Sequence, residues 1–229
     1  MRVVACINFY DERPDWLAAL CASLKGVADH VVAADGAYRL FPQARAHSGD
    51  IQAGAIVACC QRLGLGVTYH APSGPWLGNE VEKRNHLVRL ALAECELEQD
   101  WLLVIDADSV VSSCPSDFRA VLESTPCEVG TYYITESFEG GTGKYPARYL
   151  YRASASLEIR GAHFHYCRLD PSGHWYSLWE NGRLPACATE LVVEHRRGDR
   201  SAERNRRASQ WYLIRDANKI EAVAPLSGS

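Results

Sequence analysis

Apolar positions follow two patterns along this 229-residue chain, and the change comes near residue 110. In the first half they form short unbroken runs. Val3-Val-Ala-Cys-Ile-Asn-Phe9, His30-Val-Val-Ala-Ala-Asp35, Val67-Thr-Tyr-His70 and Trp101-Leu-Leu-Val-Ile-Asp106 read as strands of a buried sheet, the continuous runs being covered on both faces. Between them lie stretches with helical spacing: Asp15 to about Leu24, Asp50 to Leu63, and a third to about Glu96. Gly26 and Gly64 end the first two. Asn79 is placed to cap the third, with Glu82 as its capping-box partner. The order β-α-β-α-β-α-β predicts a largely parallel sheet with right-handed crossovers.

Beyond Val111 the apolar positions alternate with polar ones. A short helix is expected from Ser116 to about Leu122, then strands over Glu128–Thr135 and Arg148–Tyr151, with Glu139–Lys144 as a flexible loop between them. That loop lacks phosphate-loop spacing and does not follow a buried strand. Residues 157–195 concentrate histidine, tryptophan and tyrosine. A last helix, about Ser201 to Asn218, carries arginines on one side and Trp211, Tyr212 and Ile214 on the other. The expected fold class is α/β: a Rossmann-like, mostly parallel central sheet flanked by helices, with a smaller mixed sheet from the second half. One domain is expected over 1–229, with halves 1–110 and 111–229.

The run 101–108 carries the strongest chemical signal. A buried parallel strand delivers side chains at its carboxyl end, where the crevice of an α/β sheet opens. Here it delivers Asp106 and Asp108, separated by one alanine. Two carboxylates held together repel unless a cation joins them. Oxygen ligands suit a hard divalent ion, which usually also holds phosphates. A strand that merely ends in a polar turn explains the tripeptide equally well.

Composition narrows the field. Apolar content of 47% and charged content of 23% are ordinary for a globular protein. The net charge of −4 gives no general attraction to nucleic acid or anionic lipid. The basic residues that stand out are Arg196, Arg197, Arg200, Arg204, Arg206 and Arg207, a local basic segment in an acidic protein, most of which read as a solvated helical face. Nine dispersed cysteines, with no CxxC pair and no evident leader segment, point to reduced thiols and a cytoplasmic setting. No run reaches the roughly 20 apolar residues needed to span a bilayer.

Taken together, the strand opening at Val3 with Asp11-Glu12 in its loop, Asp35-Gly36 after the second strand, Trp76, Lys83-Arg84-Asn85, and Trp101 leading to Asp106-Ala-Asp108 resemble the family 2 glycosyltransferases of the nucleotide-diphospho-sugar transferase (GT-A) fold. The resemblance covers residues 3–110 well and 160–207 loosely. It implies that Asn8, Tyr10 and Glu12 line the base and ribose, that Asp35 contacts the base, and that Lys83 and Arg84 sit by the base or diphosphate. Asp106 would face the ribose or a metal-bound water, Asp108 would bind the metal, and His195 would complete its shell. A mixed Asp/His shell leans towards Mn²⁺ over Mg²⁺.

Arg196 and Arg200 would close over the diphosphate. The acceptor base is sought at Glu180, among Trp175, Tyr176 and Trp179, with His163, Glu136 and Glu158 as the other candidates. The implied activity is transfer of a sugar from a nucleotide-diphosphate sugar to an unidentified acceptor: a sugar, a protein or modified DNA. Inversion is the expected outcome. The small size resembles glycosyltransferase-like proteins of actinobacterial bacteriophages, which would place the protein in a host cytoplasm. The alternatives are a sugar-nucleotide nucleotidyltransferase and a non-catalytic nucleotide- or carbohydrate-binding module. The former usually carries a glycine-rich basic loop where this chain has Asn8-Phe-Tyr-Asp-Glu12.

Overall fold

A computed structural model describes residues 1–42, 45–76, 80–138, 141–160, 165–179, 184–196 and 202–217, apart from the side chains of residues 138, 204 and 214–217. Strands β1 (Val3–Asn8), β2 (His30–Ala34), β3 (Gly66–His70) and β4 (Trp101–Asp106) alternate with helices α1 (Pro14–Ser23), α2 (Asp50–Leu63) and α3 (Glu80–Ala93). Then follow β5 (Ser109–Ser113), α4 (Phe118–Ser124), β6 (Val129–Phe138), β7 (Gly141–Arg152), β8 (Glu158–Arg160), β9 (His165–Leu169), β10 (Trp175–Ser177), β11 (Ala186–His195) and α5 (Ala202–Ala217).

Eight strands form one sheet in the order β3-β2-β1-β4-β7-β6-β11-β5. β3, β2, β1 and β4 are mutually parallel. The order reverses beside β1, because the chain adds β2 and β3 on one side and β4 on the other. β7 pairs antiparallel with both β4 and β6, while β11 runs parallel to β6 and antiparallel to β5. A second, antiparallel sheet holds β10-β9-β8. This is an α/β fold with a Rossmann-like, mostly parallel central sheet flanked by helices and a smaller antiparallel sheet beside it.

Alternate residues of each central strand feed two separate cores. Val3, Ala5 and Ile7, with Trp101, Leu103 and Ile105, pack under α1 and α2 against Leu17, Leu20, Leu24 and Ile56. Val4 and Cys6, with Leu102 and Val104, pack under α3 and the small sheet against Leu87, Val88, Ala91, Ile159 and Tyr166. Covering both faces explains the unbroken apolar runs. β3 is one of the two edge strands and only half buried.

The boundaries differ from the sequence pattern in instructive places. α1 begins at Pro14, with Arg13 at the N-cap position, so Asp15 lies inside the first turn and not at the cap. A proline there loses nothing, because its missing N–H has no helical partner. The Asn79 cap lies outside the described residues. Of the expected loop 139–144, residues 141–144 belong to β7, where Thr142, Gly143 and Lys144 pair with Ser137, Glu136 and Thr135. β5 was hidden because its polar end, Ser112-Ser113, is exposed. All nine cysteines are free thiols. No helix among the described residues is long and apolar enough to cross a membrane.

Candidate functional site

Strand register builds the site. Asn8 and Asp106 are partners at the carboxyl ends of β1 and β4. The chain then turns through Ala107 and Asp108 into β5, whose Ser109 pairs with His195 at the end of β11. The same histidine pairs with Glu136 of β6 on its other side. Three strand junctions thereby bring Asp106, Asp108 and His195 together, and one ligand atom from each lies within 4.8 Å of the others.

Asp106 is exposed, Asp108 is buried and His195 is half buried. His195 Nε2 is 3.1 Å from Asp108 Oδ2, and Nδ1 is 3.5 Å from Glu136 Oε1. Burial alone lowers a histidine pKa. Here the hydrogen bond and charge of Asp108, with the charges of Asp106 and Glu136, outweigh it and raise the value. The donor set fits a hard or borderline divalent cation: two carboxylates, one imidazole, and a further carboxylate behind the imidazole to orient it. Two ligands each about 2.1 Å from a six-coordinate ion would sit about 3 Å apart, close to the Asp108–His195 spacing. An isolated polar turn would not recruit β11 to supply a histidine.

A cavity of about 580 Å³ opens beside this cluster. Asp106, Asp108 and His195 line it together with a cluster of mutually touching aromatic rings, Tyr10, Tyr38, Phe41, Trp211 and Tyr212. Helix α5 supplies Trp211 and Tyr212 to that cluster. Trp211 stacks on Tyr38 with centroids 4.8 Å apart and an interplanar angle of 27°, and its indole N–H donates to Arg39 O at 3.3 Å. Arg207 pairs with Asp11 at 3.1 Å and lies over the Phe41 ring.

The expected ligand residues divide by position. Asn8, Tyr10, Glu12, Lys83 and Arg84 line the cavity. Lys83 is almost wholly enclosed, and its ammonium donates to Phe9 O at 2.5 Å and Gly36 O at 2.8 Å. Burial pushes its pKa down to about 7, against the opposing charges of Asp35 and Glu80. Gly36 permits the close packing of Pro72 and Trp76 beside it: its φ is +114°, and a Cβ there would fall 2.6 Å from Pro72 and 2.7 Å from the Trp76 indole nitrogen. Arg84 lies among Glu80, Tyr38, Tyr166 and Asp106.

Asp35 is fully buried and does not line the cavity. Its carboxylate accepts from Ser48 N at 2.8 Å, Ser48 Oγ at 2.7 Å and Tyr69 OH at 2.9 Å, anchoring the loop after β2. Arg196 does not line the cavity but adjoins it, its backbone N–H donating to Asp108 O at 2.8 Å. Glu158 is 3.7 Å from Arg160. Glu180, His163 and Arg200 fall outside the described residues.

Several lining residues escaped the sequence reading: Asp11, Tyr38, Phe41, Glu80, Arg207 and Trp211. Tyr38 and Phe41 sit at or beside an irregular stretch, and nothing local shows that α5 folds back onto them. The alternation of Trp211 with arginines was visible, but not which arginine turns inward.

No family model and no curated protein matches the chain. Among solved structures it is similar to a protein from Bacillus anthracis assigned as a glucose-1-phosphate thymidylyltransferase, in complex with a sucrose. The identity is 14% and the TM-score 0.36, with 60% of this chain and 55% of that chain covered. The match spans about half of that protein, and a likeness this distant carries no residue roles.

Proposed function

We propose that the protein is a divalent-cation-dependent transferase acting on nucleotide-diphosphate sugars, and specifically a glycosyltransferase. One observation supports this most: a single cavity is lined both by an Asp/Asp/His cluster and by a group of aromatic rings. A nucleoside diphosphate combines the two matching chemistries, a charged diphosphate and a flat base, and the cavity volume suits such a ligand.

A bound Mn²⁺ or Mg²⁺ would supply charge neutralisation for the departing diphosphate. Asp106, Asp108 and His195 would hold it, with Glu136 orienting His195. Arg84 adds a fixed positive charge beside Asp106, in a site whose walls limit solvent screening. Tyr10, Tyr38, Phe41 and Trp211 would enclose the base. Lys83 and Asp35 shape the cavity by tying its loops together. Arg196 contributes its backbone to the same turn, and Arg200 remains a candidate for the diphosphate. Residues 1–110 would bind most of the donor, completed by His195, Arg200 and Trp211, and the rest of 111–229 would bind the acceptor, with Glu180 as the proposed base and His163 as its alternative. Unpaired thiols suit a cytoplasmic setting, that of the host if the chain is phage-encoded.

The second reading, a sugar-nucleotide nucleotidyltransferase, is the class of the structural neighbour, but no glycine-rich loop follows β1 here. The test incubates the protein with UDP-, GDP- and dTDP-sugars and, separately, with nucleoside triphosphates and sugar 1-phosphates, each with Mn²⁺, Mg²⁺ or EDTA. Metal-dependent release of nucleoside diphosphate from one donor is the expected result. Pyrophosphate release from the triphosphate mixtures would replace the glycosyltransferase reading with the second. Binding without turnover in either assay would favour a binding module.

A further inference from the structure

Phe9, Tyr10, Asp11 and Glu12, just after β1, line the cavity, and so do Tyr38 and Phe41, after β2. Both stretches lie beyond the paired ends of their strands, so other contacts must set their relative positions. The buried link between them is Ser48. Its backbone N–H and its hydroxyl both donate to the Asp35 carboxylate, at 2.8 and 2.7 Å. With its proton engaged there, the hydroxyl oxygen accepts from Asp11 N at 2.7 Å. A second tie, from Arg45 N to Tyr10 OH at 2.9 Å, is exposed to solvent. Asp11 has φ at +51°, in the left-handed region that a residue with a Cβ enters at a cost. Such a conformation persists where the surroundings fix it, and here the Ser48 hydroxyl holds the Asp11 amide.

Arg207 of α5 depends on this alignment. Its guanidinium takes Asp11 Oδ2 at 3.1 Å from the first stretch, and Pro42 O at 3.3 Å and the Phe41 ring from the second. A planar fork with fixed donor directions meets both only while the two stretches stay in register. Returning Asp11 to an ordinary φ would swing its carboxylate away from Arg207.

We infer that Ser48 is a positioning residue: its hydroxyl passes the rigidity of the buried Asp35 anchor to Asp11, and through Arg207 seats α5 against the cavity. Its effect on ligand affinity rests on the nucleotide reading above, whereas the seating of α5 does not.

Amide hydrogen exchange of the full chain without ligand tests the seating. A 16-residue helix has little stability without its tertiary contacts. Ser48→Ala should therefore speed exchange in α5 and in residues 9–12 by at least about fivefold, while β1 and β4 stay protected as in the wild type. Arg207→Ala should speed exchange in α5 by a similar factor, and adding Ser48→Ala to it should change α5 by less than about twofold. If Ser48→Ala does not fold, Ser48→Cys, similar in shape but a poor acceptor, supplies the same comparison. Unchanged α5 exchange, acceleration spread equally over β1 and β4, or full additivity with Arg207→Ala overturns the role of Ser48. Calorimetric titration with UDP, GDP, ADP and CDP in Mn²⁺ then separates the two readings. The tightest binder should lose about as much affinity in Ser48→Ala as in Arg207→Ala. Binding by none of the four, with α5 released as expected, removes the nucleotide reading and leaves the seating in place.

Discussion

The two halves of this chain build structure by different rules, and the candidate site lies where they meet. In the first half β1, β2 and β4 are buried along almost their whole lengths and pair in register, each with the next parallel strand. In the second half β11 alternates in burial along part of its length, β7 is buried only towards its end, and register shifts interrupt the pairing between Gly130 and Tyr132 and between Ala188 and Val192. Glu190 lies inside the second irregularity with φ at +53°. The regular half supplies Asn8, Asp106 and Asp108 by strand ends alone. The irregular half supplies His195 and the α5 lid only because β11 crosses to sit between β6 and β5. A rigid parallel frame positions the carboxylates, and a later, less regular segment completes the ligand set.

The comparison breaks most decisively at Asp108, where both halves converge. Asp108→Ala should reduce turnover of whichever donor is processed by on the order of 10³-fold. It should also remove metal-dependent nucleotide binding while circular dichroism stays unchanged. Full activity in the variant would remove the carboxylate from the site.

Lys83 tests the frame itself. Lys83→Met leaves the Phe9 and Gly36 carbonyls without their donor and should cost about 2–4 kcal/mol, lowering Tm by roughly 5–15 °C. Its folded pKa lies near 7, below the ordinary value for lysine. The folded state therefore sheds this proton first, and wild-type stability relative to Lys83→Met should rise as pH increases from 7 towards 10. A difference independent of pH would show that the amine titrates normally.

The second half is tested at Glu136. Glu136→Gln weakens the orientation of His195 and should lower Mn²⁺ affinity by about 10- to 100-fold. In the wild type the metal-free His195 pKa is raised, and only the neutral imidazole ligates. Mn²⁺ affinity should thus fall as pH drops through that raised value, by up to about tenfold per unit. An affinity flat between pH 8 and 6 would exclude His195 from the shell.

The lid gives the smaller effects. Trp211→Ala should weaken nucleotide binding by about tenfold through loss of the Tyr38 stack. Arg207→Ala should weaken it by roughly threefold, because its partner Asp11 is partly solvated. Arg206→Ala should change nothing measurable, since Arg206 is exposed. Equal effects at 206 and 207 would mean that the helix acts only through its overall charge.

The α/β class and the strand order up to β4 were legible from apolar runs, because strands covered on both faces cannot conceal that burial in an alternating pattern. Asp106 and Asp108 stood out for the same reason: polarity begins where the buried strand stops. What stayed hidden was decided by pairings distant in sequence. Glu136 stood among the candidates for the acceptor base, and only the β6–β11 register sets it against His195. Asp35 had the same strand-end position as Asp106, yet Ser48 and Tyr69 consume its carboxylate. Among the arginines, composition gave no means of choosing Arg207, because helix spacing defines a face but not what the face meets.

The chain's sequence therefore determined which strands are buried and where their carboxyl ends present acid groups, since both follow from local patterns of period two and from continuous apolar runs. Only the tertiary structure decided which of those acids remain available to a ligand, which histidine joins them, and that Trp211 comes to rest on Tyr38. Those outcomes depend on register and crossing between segments far apart in the chain, and no local pattern encodes them.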